Sequence, residues 1–156
     1  MAGFKDSIMS LVRRHFSLAL LLAASLTTSA FGEDSLLPDL RLTPGKVAAG
    51  SRDRTGVSEA MMEKVFARYK IPRIRQVQFK IDHLIPLELG GADSIENLWP
   101  QNLSVRPYNP DRKKQLTRCL LVLISEGKIT LAQAQKEMRE DWVSSFVERL
   151  GMIYLR

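Results

Sequence analysis

Apolar residues in this 156-residue chain change their spacing from one stretch to the next, and each spacing predicts an element. Four apolar side chains in the first regular stretch recur at i, i+3, i+4 and i+7, namely Met62, Val65, Phe66 and Tyr69. Because this spacing puts them on one helical face, we expect a helix over residues 59–70, capped by Ser58 and ended by Pro72.

The next apolar residues follow the period of a strand. Val77, Phe79 and Ile81 alternate with polar neighbours, as in a strand that buries one face. The predicted strand runs directly into the adjacent pair Asp82-His83.

An irregular loop is expected after this pair. Pro86 and the glycine pair Gly90–Gly91 oppose a regular element, and the glycines permit a tight turn back along the strand. Leu98 and Trp99 then predict a short second strand before Pro100.

Two helices are predicted in the C-terminal third. Asn109-Pro110-Asp111 is typical of a helix start, with a capping residue, a proline in the first turn and an acidic residue near the N-terminus. Gly127 ends this helix, and Thr130 with Gln133 forms a capping box for the last one. The inward side of the last helix is expected to carry Leu131, Ala134, Met138, Trp142 and Phe146. The order of elements predicts a small α+β domain.

The N-terminal residues have the composition of an export signal. Basic residues precede an apolar run over residues 16–26, and small residues suited to a signal peptidase follow it. The run has about half of the ~20 apolar residues that a transmembrane helix needs. We therefore predict a signal peptide over residues 1–32, an extended lead-in over 33–55 and a domain over 56–156. After cleavage of the signal, the product is expected to be periplasmic or extracellular and free of the membrane.

Charge and cysteine content narrow the class of protein. The formal net charge is +6, and basic residues concentrate in the stretches 64–80 and 106–118. Such clusters suit a polyanion such as nucleic acid, although a solvated face is the commoner explanation of a run of charge. The single cysteine excludes an internal disulfide, so the fold depends on packing even in an oxidising compartment.

The segment Ile81–Gln101, IDHLIPLELGGADSIENLWPQ, carries the candidate chemistry. At the end of a strand, Asp82 could hold a metal while His83 faces a water molecule or substrate. The following loop would bring Asn97 back towards His83. Asn109 then begins a helix whose positive N-terminus can face a phosphate or a metal.

These residues resemble the HNH nuclease motif of the ββα-metal fold. The matching pattern is Asp-His-x-x-Pro-Leu-x-x-Gly-Gly, then Asn-Leu-x-Pro, then an Asn that opens a helix. The chain is most similar to a group of small exported bacterial HNH-type proteins. Matching flanks are Thr43-Pro44-Gly45, the helix end Val-Phe-x-x-Tyr and Asp141-Trp142, so the resemblance covers residues 40–146.

The resemblance implies a fold and roles for individual residues. The fold would be a ββα-metal core with one flanking helix before it and helices after it. Asp82 and Asn109 would be ligands of one divalent metal, with Mg²⁺ expected, and His83 would be the general base. Asn97 would lie in the loop that orients His83. Four basic residues are candidate phosphate contacts: Arg106, Arg112, Lys113 and Lys114.

The chain departs from the family pattern at the last motif position. Where the similar proteins have Asn-Ala-x-x-Lys-Asp, this chain has Asn109-Pro-Asp-Arg-Lys-Lys, and the position is a second His in many members. Asn109 could therefore be only a helix cap, with Asn102 or Asp111 as the ligand. Asn97 could equally be a turn residue, and Glu88 either an outer-sphere ligand or a solvated carboxylate.

The sequence thus predicts an exported, metal-dependent HNH-type endonuclease that hydrolyses DNA, with RNA as a second candidate substrate, at low sequence specificity. No base-reading module is recognisable, so binding would be mostly to the phosphate backbone. Two alternatives stay open. One is a nucleic-acid-binding HNH-like module without catalysis, and the other is an exported structural or partner-binding protein.

Overall fold

Three α-helices and a two-stranded antiparallel sheet form the described part of the chain, residues 36–50 and 55–151 of the computed structural model. The elements in chain order are α1 (Glu59–Arg68), β1 (Phe79–His83), β2 (Leu98–Asn102), α2 (Pro110–Ser125) and α3 (Leu131–Leu150). The architecture is α+β, as the sequence predicts. The predicted signal peptide lies outside the described residues. No helix among the described residues is long and apolar enough to cross a bilayer.

Helix α1 confirms the first helical prediction. The Ser58 side chain accepts a hydrogen bond from the Met61 backbone N–H, and Val65 and Phe66 are buried. Tyr69 follows the helix, and its hydroxyl bonds to Thr43 Oγ1 at 2.8 Å. Thr43 also donates to the Leu98 carbonyl, so this contact ties the lead-in to both α1 and β2. Burial raises the pKa of Tyr69 to about 12, which keeps its hydroxyl protonated.

The first strand begins later than its alternating pattern predicts. Residues Arg73–Gln78 form a 3-10 turn, and β1 starts at Phe79. Val77 was expected on the buried face of the strand, but 82% of it is exposed, so that prediction is wrong. Val77 is exposed because this segment is a 3-10 turn, in which side chains repeat every three residues and do not alternate between two faces as in a strand.

Strand β2 confirms the second strand and extends it to Asn102. Phe79 pairs with Asn102 and His83 with Leu98, so the sheet register fixes the positions of the two strand ends. Pro100 is tolerated because each strand of a two-stranded sheet is an edge strand, which leaves one side without ladder hydrogen bonds.

The C-terminal helices start where the sequence predicts. Asn109 caps α2, and Thr130 with Gln133 forms a complete capping box on α3. Four of the five predicted inward residues of α3 are buried, whereas Leu131 is 45% exposed in the first turn. Helix α3 is kinked at Asp141, whose carboxylate accepts bonds from the Ser144 N–H and hydroxyl and so caps the second half.

Two hydrophobic clusters meet at the segment that follows β1. Leu84 belongs to the cluster formed with α1 and the sheet, and Ile85 belongs to the cluster formed with α2 and α3. Both side chains are fully buried. Adjacent residues of an extended chain point to opposite sides, which lets this dipeptide anchor both clusters. Asp82 and His83 directly precede this anchor, so their backbone is held from both sides.

Candidate active site

A cleft of about 300 Å³ lies between the end of β1 and the first turns of α2. Asp82 and His83 both line it, and Pro110 and Thr117 mark its helical wall. Its charged lining residues are three acids and three lysines: Asp82, Glu88, Asp111, Lys80, Lys113 and Lys114. The adjacent pair singled out in the sequence therefore faces a concave, charged surface.

His83 is paired with a carboxylate that the sequence reading did not single out. Its Nε2 lies 2.6 Å from Oδ1 of Asp93, whose side chain is only 2% exposed. The other carboxylate oxygen, Oδ2, accepts the Gly56 backbone N–H at 2.7 Å. A buried carboxylate accepts hydrogen bonds, so Nε2 is the donor in this contact and Nδ1 is the ring nitrogen left for other partners.

Asn97 closes the loop that carries Asp93. Its Oδ1 accepts the Ile85 N–H at 2.9 Å, while its Nδ2 donates to the carbonyls of Ile85 and Ala92 at 2.9 and 3.0 Å. The side chain is fully buried. Its contacts are with the loop backbone, so any effect on His83 passes through the loop to Asp93.

Gly91 completes this loop by close packing. A Cβ atom at this position would lie 1.9 Å from the Ile85 carbonyl oxygen and 2.8 Å from Asn97 Nδ2. Gly91 is also bridged to Val47 of the lead-in, with flanking hydrogen bonds from Ala48 to Gly90 and from Ala92 to Lys46. The second glycine of the pair thus allows the chain to double back against the residues after His83.

Lys113 is the closest positive group to Asp82. Its ammonium donates to Asp82 Oδ2 at 2.7 Å and also to the His83 carbonyl oxygen, and its side chain is 4% exposed. Lys113 was predicted as a phosphate contact; in the structure it lines the cleft, and its ammonium is hydrogen-bonded to Asp82. The other oxygen of Asp82, Oδ1, accepts no hydrogen bond from the described residues.

Asn109 has a structural role in this arrangement. Its side-chain oxygen accepts the backbone N–H groups of Asp111 and Arg112 at 3.1 and 3.2 Å, and the residue is buried outside the cleft lining. Asn102, one alternative ligand, accepts the Ser104 N–H at the opposite end of β2. Asp111, the other alternative, lines the cleft. Of these three residues, Asp111 is the one that lines the cleft together with Asp82.

Of the three other basic residues predicted to contact phosphate, one lines the cleft and two lie outside its lining. Lys114 is exposed and lines the cleft. Arg112 lies over the Phe146 ring at 5.9 Å and bonds to Gln115, so its guanidinium packs against α3. Arg106 is exposed on the connection before α2, outside the cleft lining. Trp99 is buried in the α1 cluster, in agreement with its interpretation as a core residue.

Comparisons with protein-family models, curated proteins and solved structures found no match to this chain. The case for a functional site therefore depends on the geometry of the cleft. Within residues 36–50 and 55–151, no three His, Cys, Asp or Glu side chains are grouped so as to hold a metal ion.

Truncation of Asn97 is expected to destabilise the site and the fold together. Asn97→Ala removes three hydrogen bonds and leaves buried backbone groups unpaired, which should lower the free energy of unfolding by about 3 kcal/mol. Asn97→Asp should also destabilise, because its carboxylate would face two carbonyl oxygens. Urea denaturation followed by tryptophan fluorescence measures both. A change below about 0.5 kcal/mol for Asn97→Ala would contradict the assigned role.

Proposed function

We propose that the chain is a metal-dependent HNH-type endonuclease that hydrolyses phosphodiester bonds at the Asp82–His83 cleft. The observation that carries the proposal is a histidine held by a buried carboxylate, beside an acidic side chain, in a cleft that is also rich in lysine. A histidine whose Nε2 donates to a carboxylate can use Nδ1 to accept a proton from a water molecule. The α+β architecture accommodates the ββα-metal core that the resemblance implies, with β1, β2 and α2 as its elements.

His83 would activate the attacking water. Asp93 fixes the proton on Nε2, so Nδ1 can accept a proton from a water molecule as its oxygen attacks phosphorus. The bond from phosphorus to the leaving oxygen then breaks, and that oxygen takes a proton from solvent. Lys80 and Lys114 line the cleft and can hold the negative phosphate groups of the substrate.

The residues present fit a hard divalent cation with few protein ligands. Mg²⁺ sites in proteins commonly use one or two carboxylates and complete the shell with water and substrate phosphate. Asp82 can offer Oδ1 while Oδ2 stays on Lys113, and Asp111 is the second candidate ligand. When bound, such an ion stabilises the charge that develops on the phosphoryl and leaving oxygens.

A nucleic-acid-binding module without catalysis is the second candidate function. It is favoured by two contacts: Lys113 already neutralises one oxygen of Asp82, and Asn109 uses its side-chain oxygen to cap α2. Both candidates expect binding to DNA, whereas only the nuclease expects cleavage that requires a divalent metal. We propose DNA as the first substrate, RNA as the second, and an exported, periplasmic or extracellular location.

A plasmid-nicking assay separates the candidates. The chain is incubated with supercoiled DNA in Mg²⁺, in Mn²⁺ and in EDTA, and binding is measured in parallel by gel shift. Cutting in metal supports the nuclease, and binding without cutting in any metal supports the module. Neither binding nor cutting by a folded chain at moderate salt would favour the structural or partner-binding protein.

Asp93→Asn is expected to reduce the rate without unfolding the chain. The Asp93 carboxylate accepts from both His83 and Gly56, but an amide offers only one accepting oxygen. If that oxygen stays with Gly56, the amide nitrogen faces His83 and drives the imidazole into the other tautomer. We expect kcat/KM to fall about 10²-fold or more.

The tautomer itself provides a second readout of Asp93→Asn. The chain has two histidines, so a His15→Gln background leaves one imidazole in the ¹⁵N spectrum. The Nε2–H form should dominate with Asp93, and Nδ1–H should increase in the variant. Glu96→Gln, a carboxyl-to-amide change at an exposed position of the same loop, is the control and should change neither rate nor spectrum. An unaltered rate for Asp93→Asn would remove Asp93 from the mechanism.

A further inference from the structure

The 3-10 turn Arg73–Gln78 carries the two most exposed large apolar side chains among the described residues. Ile74 is 86% exposed and Val77 is 82% exposed. In a 3-10 helix, residues at i and i+3 lie one above the other, so these two side chains share one side of the turn. Single exposed apolar residues are common on protein surfaces, but a stacked pair at the tip of one turn is a localised apolar surface.

Basic residues are close to this apolar pair along the chain. Lys70, Arg73 and Lys80 are exposed, and Arg75 lies within the turn with its Nε 3.4 Å from Gln78 Oε1. No acidic residue occurs between Lys64 and Asp82. In space, Glu59 and Glu63 of α1 line a groove with Arg73 and Gln76, so two acidic side chains stand against the four basic ones. The turn therefore combines an apolar tip with net positive charge and is complementary to a polyanion that also offers apolar surface.

The turn is connected rigidly to the cleft. It continues into β1 without a break, and the Leu103 N–H donates to the Gln78 carbonyl at 2.9 Å, which fixes the end of the turn against the chain after β2. From Phe79 to His83 the strand advances about 13 Å at ~3.3 Å per residue. At 3.4 Å per base pair, that length corresponds to roughly four base pairs of duplex DNA.

We propose that the Arg73–Gln78 turn is a second DNA contact, which binds the minor groove about four base pairs from the scissile phosphate. Arg73 and Arg75 would hold the phosphates that flank the groove, while Ile74 and Val77 pack against the sugars and base edges within it. Proteins that bind the minor groove commonly combine basic residues with apolar wedges in this way. The proposal rests on the proposed nuclease function, and it names the duplex as the substrate form.

An anionic membrane is the other polyanion that offers apolar surface. Membrane-surface binding in proteins commonly uses an amphipathic helix that buries an extended apolar face. The turn has six residues and two exposed apolar side chains, and it lies next to a cleft proposed to act on phosphodiesters. These features favour DNA, so vesicle binding becomes an outcome of the test.

The test measures DNA binding without cleavage. The His83→Ala chain, or the wild-type chain in EDTA if that variant does not fold, is titrated against a fluorescent 20-base-pair duplex at several salt concentrations. I74S/V77S should weaken binding about 10-fold and leave the salt dependence unchanged, because it removes apolar burial and no charge. R73Q/R75Q should weaken binding and also reduce the slope of log K against log salt by up to about 1.8, or ~0.9 per lost phosphate contact.

Matched controls lie on the helices away from this turn. Val122 is exposed on α2 and Lys136 on α3, so V122S makes one apolar-to-serine change and K136Q one cation-to-glutamine change elsewhere, and both should bind like the parent. If both turn variants bind duplex within two-fold of the parent, the proposal is wrong, while plasmid cutting by the wild type would still support the nuclease. Loss of binding to phosphatidylserine vesicles by I74S/V77S, with duplex binding unchanged, would assign the turn to membranes and overturn the DNA contact. A wild-type chain that neither cuts nor binds DNA would overturn both proposals.

Discussion

His83→Ala is expected to reduce the rate of DNA cleavage by about 10²- to 10⁴-fold, the usual contribution of a positioned general base. The variant removes Nδ1, the proposed proton acceptor, while Asp82, the lysines of the cleft and the proposed DNA contacts remain. The rate should therefore fall mainly in kcat, and duplex affinity should stay close to that of the wild type. Added imidazole should restore part of the activity, because a small base can enter the space left by the side chain.

The control for this loss is the integrity of the fold. Asp93 keeps its bond from the Gly56 N–H in the variant, so we expect the chain to remain folded by circular dichroism. K136Q changes an exposed residue on α3 and should cut at the wild-type rate. Wild-type cleavage by folded His83→Ala would show that this imidazole is not the base and would remove the mechanism proposed here.

Gly91→Ala is expected to lower the free energy of unfolding more than any other substitution that adds one methyl group to this loop. The new Cβ would lie 1.9 Å from the Ile85 carbonyl oxygen, which is backbone and cannot rotate away. Relief requires the loop to separate from the segment after β1, which breaks the bonds of Asn97 to that segment. We expect the free energy of unfolding to fall by at least about 3 kcal/mol, within the range of severe overpacking with lost buried hydrogen bonds.

Gly50→Ala provides the matched comparison. A Cβ at Gly50 would meet no atom of the described residues within 4 Å, so the same substitution should change stability by no more than about 0.5 kcal/mol. Thermal and urea denaturation of the two variants can be run side by side. Equal stabilities would contradict the tight packing of Gly91 against Ile85.

The sequence was most informative where a local signal decides the structure. Helix α1 and the caps at Asn109 and Thr130 follow from side-chain periodicity and from hydrogen bonds to neighbouring backbone groups. The residue at which β1 begins was harder to predict from the sequence. Both a strand and a 3-10 turn can accommodate Val77, and the choice depends on how the chain leaves Pro72 and where β2 can pair.

The candidate site was predictable in part. The adjacency of Asp82 and His83 and the return of Asn97 to the preceding segment could be expected from the glycine pair and the strand end. Asp93 was missed because its contact with His83 spans ten residues of irregular loop, and loop carboxylates are usually solvated. Its position between the glycines and Asn97 was the one available signal.

The role of the α2 residues depended on contacts between distant parts of the chain. Lys113 and Asp82 are 31 residues apart, and the sequence alone does not indicate that the lysine turns inward to meet the strand end. Asn109 had both interpretations open, and its oxygen is used by the helix that it caps. The direction in which each side chain at the start of α2 points depends on tertiary packing, and a local sequence pattern does not determine that packing.

The metal dependence of DNA cleavage by the wild-type chain tests the proposed nuclease activity. Supercoiled plasmid is incubated with the protein in Mg²⁺, EDTA is added in excess, and Mg²⁺ is then restored above the chelator. We predict nicking in Mg²⁺, arrest in EDTA and recovery when the metal is returned. Absence of nicking by the folded chain in Mg²⁺, Mn²⁺ or any other divalent metal would contradict the proposed activity.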